Sequence, residues 1–477
     1  MLFISDVLGF IPRWREADMN GITKATPSGK IRNTPPSTSC GKVQYSCDTT
    51  TAISRNSAPS TDAFQILSAW LRPSNDDARF WWHMIGSHLA LLFQEAGYDI
   101  HSQYGSLLFL YHSVVGRMGP RPSSSGSPQF WKSFMTDDFT PIEYSWSWDT
   151  PKAPPKIRFS IEAIGPDAGT KIDPFNQAMT MELARHVNAV APDVDWDLFN
   201  HFRKEFCSQE LWESACVEGH NPQESHSSSM FMAFEMNKRD VAVKAYFVPV
   251  KAEQTGQSRL SVVSDSIRSL ERPDFRLPAY HHISAFMTDH PDGSQLEIVG
   301  IAVDCVLPKT SRLKVYVRSP RTSFDSVCTV MSMGGKSSIF SPATLIDFKK
   351  LWQLTLGLDE DFASDENLHP KRHQTAGILY NFDIKAGNIL PEPKVYIPVK
   401  HYAPNDLAVA KGLASYLSLM GRDRFMDGYM RALEGMCNHR SLDSQCGLQT
   451  YISCSVKKEQ LVLTSYFSPE VYHDARW

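Results

Sequence analysis

Lys244-Ala-Tyr246-Phe-Val-Pro249, Lys314-Val-Tyr316-Val-Arg-Ser-Pro320, Lys394-Val-Tyr396-Ile-Pro398 and Thr464-Ser-Tyr466-Phe-Ser-Pro469 are four versions of one stretch. Their tyrosines lie 70, 80 and 70 positions apart. An earlier copy, Arg158-Phe-Ser160-Ile-Glu-Ala-Ile-Gly-Pro166, has Arg in the Lys register and Ser in the Tyr register. Recurrence of this kind marks one supersecondary unit copied along the chain. Each copy is a short run rich in Val, Ile, Phe and Tyr, which reads as a strand, and a second such run precedes it. The expected strand pairs are 141–148 with 157–164, 229–237 with 240–248, 295–306 with 311–318, 375–384 with 393–400, and 449–456 with 460–467.

Between the pairs, apolar residues recur at three- and four-residue spacing, which predicts helices. They fall near 62–71, 76–96, 100–117, 172–190, 196–206, 255–269, 276–289, 323–333, 341–355, 405–420 and 423–436. Five ααββ units thus fill residues 62–477 as a single domain, with only short loops around 119–128 and 218–229. Ten antiparallel strands lose their edges only by closing, so the fold class is α+β: a ten-stranded antiparallel β-barrel surrounded by helices.

Composition narrows the function. The chain of 477 residues is 42% hydrophobic and 21% charged, with a formal net charge of −4. That charge gives no global cationic field for nucleic acid or an anionic membrane, so any anion site is local. Nine cysteines without a CxxC pair predict neither a disulfide framework nor a zinc site, and suit a reducing cytoplasm. The apolar start Met1 to Pro12 carries Asp6 and no basic leader, unlike a signal peptide. The most apolar later window, Met84 to Phe93, is about half the length needed to span a bilayer and contains His88. Residues 1–61, polar and rich in Ser, Thr, Pro and Gly from about 21 onward, are expected to be a disordered leader.

Strand alternation places Arg312, Lys314 and Tyr316 on one face, and likewise Lys244 with Tyr246 and Lys394 with Tyr396. Leu313, Val315 and Val317 occupy the other. Helices must cover the apolar face, so the basic and phenolic groups are expected to enter the lumen. Converging ammonium, guanidinium and phenol donors suit a diphosphate. An outward, solvated charged face is the plainer fate of one alternating lysine, but not of the same Lys-x-Tyr register three times over. In Pro141-Ile-Glu143-Tyr144-Ser-Trp146-Ser-Trp148, Glu143 shares the lumen face with Ser145 and Ser147. A buried carboxylate there can accept a hydrogen bond from an indole N–H or a phenol and raise the ring's nucleophilicity. The competing reading is a structural ion pair with Arg158.

The sequence resembles the fungal aromatic prenyltransferases of the dimethylallyltryptophan synthase type. Besides the strand signatures, the likeness rests on Ile161-Glu-Ala-Ile-Gly-Pro166, Gly169-Thr-Lys-Ile-Asp-Pro-Phe-Asn176, Pro391-Glu-Pro-Lys-Val-Tyr-Ile-Pro398 and Thr464-Ser-Tyr-Phe-Ser-Pro-Glu-Val-Tyr472, and covers 62–477. It implies an enzyme without cofactor or tightly bound metal that joins a dimethylallyl group from dimethylallyl diphosphate to an aromatic small molecule. It further implies that Glu143 is the carboxylate facing the acceptor, and that Arg158, Lys244, Arg312, Lys314 and Lys394 bind diphosphate. By the same likeness Tyr246, Tyr316, Tyr396, Tyr451 and Tyr466 form the tyrosine layer, and Lys457 stands at a position often Arg.

Two departures bear on the acceptor. Members that prenylate free tryptophan have Lys where this chain has Phe231, and hold the substrate carboxylate with an Arg in a region that here, from Gln295 to Leu307, has no basic residue. An indole such as a tryptophan-containing cyclic dipeptide or related alkaloid is therefore the expected acceptor. A phenolic or polyketide arene (a xanthone, naphthol or tyrosine derivative) is the alternative, followed by a non-catalytic barrel that binds a prenyl diphosphate. The isolated pairs Asp76-Asp77 and Asp137-Asp138 do not match the two Asp-rich clusters of a magnesium-dependent isoprenoid synthase. No GxSxG, HExxH, Walker or GxGxxG run is present. The sequence leaves a homodimer open.

Overall fold

The computed structural model describes residues 59–148, 153–207, 228–237 and 240–477. The expected leader therefore falls outside the described residues except for 59–61, as does most of the loop expected at 218–229. The ten strands are β1 Ile142–Trp148, β2 Lys156–Ile161, β3 Met230–Met236, β4 Val241–Phe247, β5 Glu297–Asp304, β6 Leu313–Ser319, β7 Ile378–Ile384, β8 Glu392–Ile397, β9 Gln449–Lys457 and β10 Gln460–Phe467. They close into one antiparallel barrel, each pairing with its sequence neighbours, and β1 pairs with β10. The fold class expected from the repeat is the one observed.

The helices follow local signals. Thr61, Asn75, Asp99, Ser258, Ser323, Ser341 and Asn405 each accept a backbone N–H at a helix start, satisfying a donor the helix itself leaves free. Outward strand side chains form the layer between barrel and helices. Trp146 and Trp148 on β1 pack their rings 5.6 and 5.0 Å from Tyr429 of helix Met426–Met436. Phe247 on β4 meets Phe199 of helix Asp197–Phe206 at 5.5 Å. Each fully buried aromatic of this kind contributes roughly 1.5–3 kcal/mol by leaving water. Helices Pro342–Leu356 and Asp406–Leu419 approach so closely that a Cβ on Gly412 would collide with the Leu354 carbonyl.

Several boundaries differ from expectation by a few residues, and three of the strand ends have a visible physical reason. β2 stops at Ile161 because Glu162 turns into the interior, where it accepts from Trp131 Nε1 (2.9 Å), Ser133 Oγ (2.5 Å), Asn176 Nδ2 (2.9 Å) and Ser228 Oγ (2.8 Å). The Glu162 and Asn176 motifs therefore tie three loops together. β7 begins only at Ile378, since Gly377 adopts a φ of 84° that side-chain-bearing residues avoid. β8 ends at Ile397, because Pro398 offers no N–H and Val399–Tyr402 coils into a helical turn. The connection before β1 is not short: residues 118–141 run without helix or strand and carry Phe134 and Asp137 to the barrel.

Candidate active site

Alternation on each strand sends one set of side chains inward. Arg158, Lys244, Tyr246, Arg312, Lys314, Tyr316, Lys394, Tyr396, Lys457 and Tyr466 all line a single lumen cavity. Arg312 does so from the residue before β6. Ten of the twelve residues singled out in the sequence meet there. Glu143 and Tyr451 do not line it; they stand together beyond the tyrosines.

The cation zone also holds carboxylates that the sequence reading missed. Arg158 Nε lies 2.6 Å from Glu235 Oε2, with Lys244 Nζ at 3.3 Å from the same atom. Arg312 bridges Asp304 (2.6 Å) and Asp383 (3.2 Å), and buried Lys314 lies 2.7 Å from Asp304. Burial opposes ionisation of Glu235 and Asp304, but Arg158 and Lys244 around the first and Lys314 and Arg312 around the second hold both carboxyls near 2. Among the described residues, Lys394 and Lys457 have no carboxylate within ion-pair distance. Burial pulls the ammonium groups of Lys244 and Lys394 down to about 8. Six cations and two carboxylates, Glu235 and Asp383, line the cavity, and Asp304 is paired with Arg312 and Lys314 beside it, so the six cations exceed the three carboxylates by three positive charges. Such a lumen can neutralise a multiply charged anion while the carboxylates keep each cation oriented.

Above the cations runs an arc of rings. Tyr246 to Tyr316 is 5.8 Å between centroids, Tyr316 to Tyr396 is 6.0 Å, and Tyr396 to Tyr466 is 5.5 Å. Burial raises these phenols, so they remain protonated donors. Phe231, inward on β3 opposite Tyr246, stacks on it at 4.2 Å and 12°, and loop residue Phe134 meets Phe231 edge-on at 5.3 Å. The π faces present a curved wall suited to a cation. Gly300 and Ala302 on β5, opposite Tyr316 and Tyr246, leave those rings room.

At the far end the competing reading, a Glu143–Arg158 ion pair, is not met, since Arg158 is committed to Glu235. Glu143 accepts from Thr450 Oγ1 at 2.8 Å instead. Strict alternation from Ser455 and Ser453 would aim Tyr451 inward and Thr450 outward. A register shift between Ser465 and Phe467 of β10 sets an extra β9 residue at this point, and such a bulge re-aims a side chain. Burial pushes the Glu143 carboxyl up to about 7, against the Thr450 hydrogen bond and the charge of Lys400. Tyr451 lies edge-on to Tyr396 at 6.2 Å and carries Lys400 Nζ 5.0 Å from its ring centroid. Lys400 in turn pairs with Asp137 at 2.8 Å. Asp137, His373 and His401 bring ligand-type atoms within 4.8 Å of one another, but Lys400 already supplies the positive charge there.

Cations, tyrosine rings and a separate carboxylate follow one another along one closed ten-stranded barrel ringed by helices, the fold of the aromatic prenyltransferases. The model of the family described as tryptophan dimethylallyltransferase matches residues 77–432. The prenyltransferase anuH of Penicillium roqueforti is 36% identical, over 88% of this chain and 95% of its own. The 4-O-dimethylallyl-L-tyrosine synthase of Claviceps purpurea is 34% identical, over 83% and 89%. In fold, the crystal structure of AnaPT from Neosartorya fischeri superposes with a TM-score of 0.72 at 23% identity, covering 85% of this chain and 97% of that one. The chain belongs to the tryptophan dimethylallyltransferase family of prenyltransferases. Among the described residues no helix is long and apolar enough to cross a membrane.

Proposed function

We propose that this enzyme transfers the dimethylallyl group of dimethylallyl diphosphate to an indole, a tryptophan-containing cyclic dipeptide or a related alkaloid, in secondary-metabolite biosynthesis. Diphosphate sits among Arg158, Lys244, Arg312, Lys314, Lys394 and Lys457, whose surplus matches a trianion. The C1–O bond breaks with its electron pair leaving on diphosphate, and the allylic cation is held by Tyr246, Tyr316, Tyr396 and Tyr466, with Tyr451 at the edge. The arene, hydrogen-bonded through its N–H to Glu143, gives a π pair to the cation. A C–C bond forms, and loss of the ring proton restores aromaticity. The observation that carries this reading is the separation of Glu143 from the cations: a carboxylate serving only the ion-pair lattice would sit beside Arg158, as Glu235 does.

Phe231, stacked on Tyr246, supports an uncharged, flat acceptor over a free amino acid. A second reading, prenylation of a phenol, is favoured by the tyrosine-directed relative and by the fact that Glu143 accepts equally from O–H. A cytoplasmic site and an optional homodimer belong to the same proposal; the first is supported by described cysteines that are all unpaired. The test is mass spectrometry of products formed with dimethylallyl diphosphate and EDTA from tryptophan, cyclic dipeptides, tyrosine and hydroxyxanthones. One added C5H8 on a cyclic dipeptide is expected. Addition to phenols alone would replace the indole reading with the second, and no product from any arene would remove both.

A further inference from the structure

Lys400 lies outside the cavity that receives diphosphate, yet it is almost wholly buried, its side chain 7% exposed, at the other end of the lumen. It gets there because β8 stops at Pro398. The helical turn Val399–Tyr402 then lifts Lys400 out of the Lys394–Tyr396 row and over the face of Tyr451. Its ammonium is gripped by Asp137, which the long loop before β1 delivers. Thr450, the neighbour of Tyr451, holds Glu143. Carboxylate, ammonium and carboxylate thus follow one another from the loop to the acceptor end of the barrel.

We infer that Asp137 and Lys400 form a positioning dyad behind Glu143, in which Lys400 keeps Glu143 as the charged acceptor of the substrate's hydrogen bond and Asp137 moderates that pull. The inference rests on Glu143 facing the aromatic substrate. The surroundings isolate the pair. Ser160 stands opposite Glu143 on β2, and Arg158, two places along, is taken by Glu235. From β10 the neighbouring ionisable group is Tyr466, which burial keeps protonated. From β9 come Thr450 and the Tyr451 ring. Behind Asp137 stand His373 and His401, at 3.9 and 3.7 Å. Burial and the adjacent Lys400 hold His401 below the usual histidine range, so it adds no charge near neutrality.

The signs of the two influences are opposite. Lys400 favours ionised Glu143, whereas Asp137 disfavours it. Buried over Tyr451, whose neighbour Thr450 holds Glu143, Lys400 acts as a positioning residue, and the acid limb of the pH profile is its readout.

The experiment is the dependence of kcat/KM for the acceptor on pH, between about 5.5 and 8.5, for the full chain and four variants. Lys400→Met should move the acid limb up by half a pH unit or more, and Asp137→Asn should move it down. Lys400→Arg, which keeps the charge, should leave it in place. Limbs that stay fixed in both Lys400→Met and Asp137→Asn, or that move together, would overturn the dyad. Should Lys400→Met fail to fold, the downward shift in Asp137→Asn and the unmoved limb of Lys400→Arg still decide. Glu143→Gln separates the two levels of the argument. If it retains wild-type turnover, the assignment of Glu143 falls; if it abolishes the acid limb while the dyad variants do nothing, only the dyad falls.

Discussion

Thr450 and Glu143, 307 positions apart, are joined by a 2.8 Å hydrogen bond that spans β10. The bond favours the ionised carboxylate, so its removal should raise the pH at which Glu143 becomes charged. Thr450→Val is expected to lose most activity below pH 7 and to recover toward pH 8. A pH–rate series on that variant checks it.

Glu143→Gln keeps shape and removes charge. Turnover should fall by roughly 10²–10⁴-fold, the range for a positioned acid–base group. Affinity for a non-reactive prenyl diphosphate analogue should change little, because Glu143 lies outside the cation zone. Steady-state kinetics paired with calorimetry separates the two effects.

Lys244 and Lys394, pulled down to about 8 by burial, give diphosphate binding its own pH dependence. Below 8 both are ammonium ions and the surplus of three is intact. As pH rises through 8 they lose protons, so affinity should decline, by roughly tenfold or more between pH 7 and 9. Combined with Glu143 ionising near 7, kcat/KM should be bell-shaped. Calorimetric titration of diphosphate at the two pH values checks the basic side.

Lys314 is buried and held 2.7 Å from Asp304, so its ammonium is fixed toward the cavity. Lys314→Met should weaken prenyl diphosphate binding by about 1.5–3 kcal/mol, or about 10- to 150-fold in Kd. Equilibrium binding is the measurement. An unchanged Kd would place the diphosphate elsewhere in the lumen.

Glu162 accepts four hydrogen bonds in the interior and touches no lumen residue in doing so. Glu162→Leu strands those neutral donors and should cost about 1–3 kcal/mol of stability for each one left unsatisfied. The urea unfolding midpoint reports it.

Much of this was written in the sequence, and the gaps have identifiable causes. The Lys-x-Tyr register gave the barrel and nine lumen residues because a period of two survives any loop length, while Lys457 came from the family resemblance alone. The carboxylates were also there: Glu235, Asp304 and Asp383 precede Lys244, Lys314 and Lys394 by 9, 10 and 11 positions, each on the first strand of its hairpin. Unequal hairpin lengths hid that recurrence, since only pairing in three dimensions sets one strand's register against the next. Thr450 was hidden by a bulge, which breaks the alternation every strand argument assumes. Lys400 was hidden by a turn that takes it out of a row where a strand continued to 400 would have left it.

The pairing of β1 with β10 has a consequence for how the protein is made. Tyr144 lies against Phe467 and Ser147 against Thr464, contacts that cannot form until nearly the whole barrel has left the ribosome. Until then β1, with its row of Trp and Tyr, is an open edge. The order of synthesis therefore delays the sealing strand, which also brings Tyr466. Assembly of the reaction chamber and completion of the fold are one event, and a ribosome that stalls before β10 leaves an exposed aromatic edge and no enzyme.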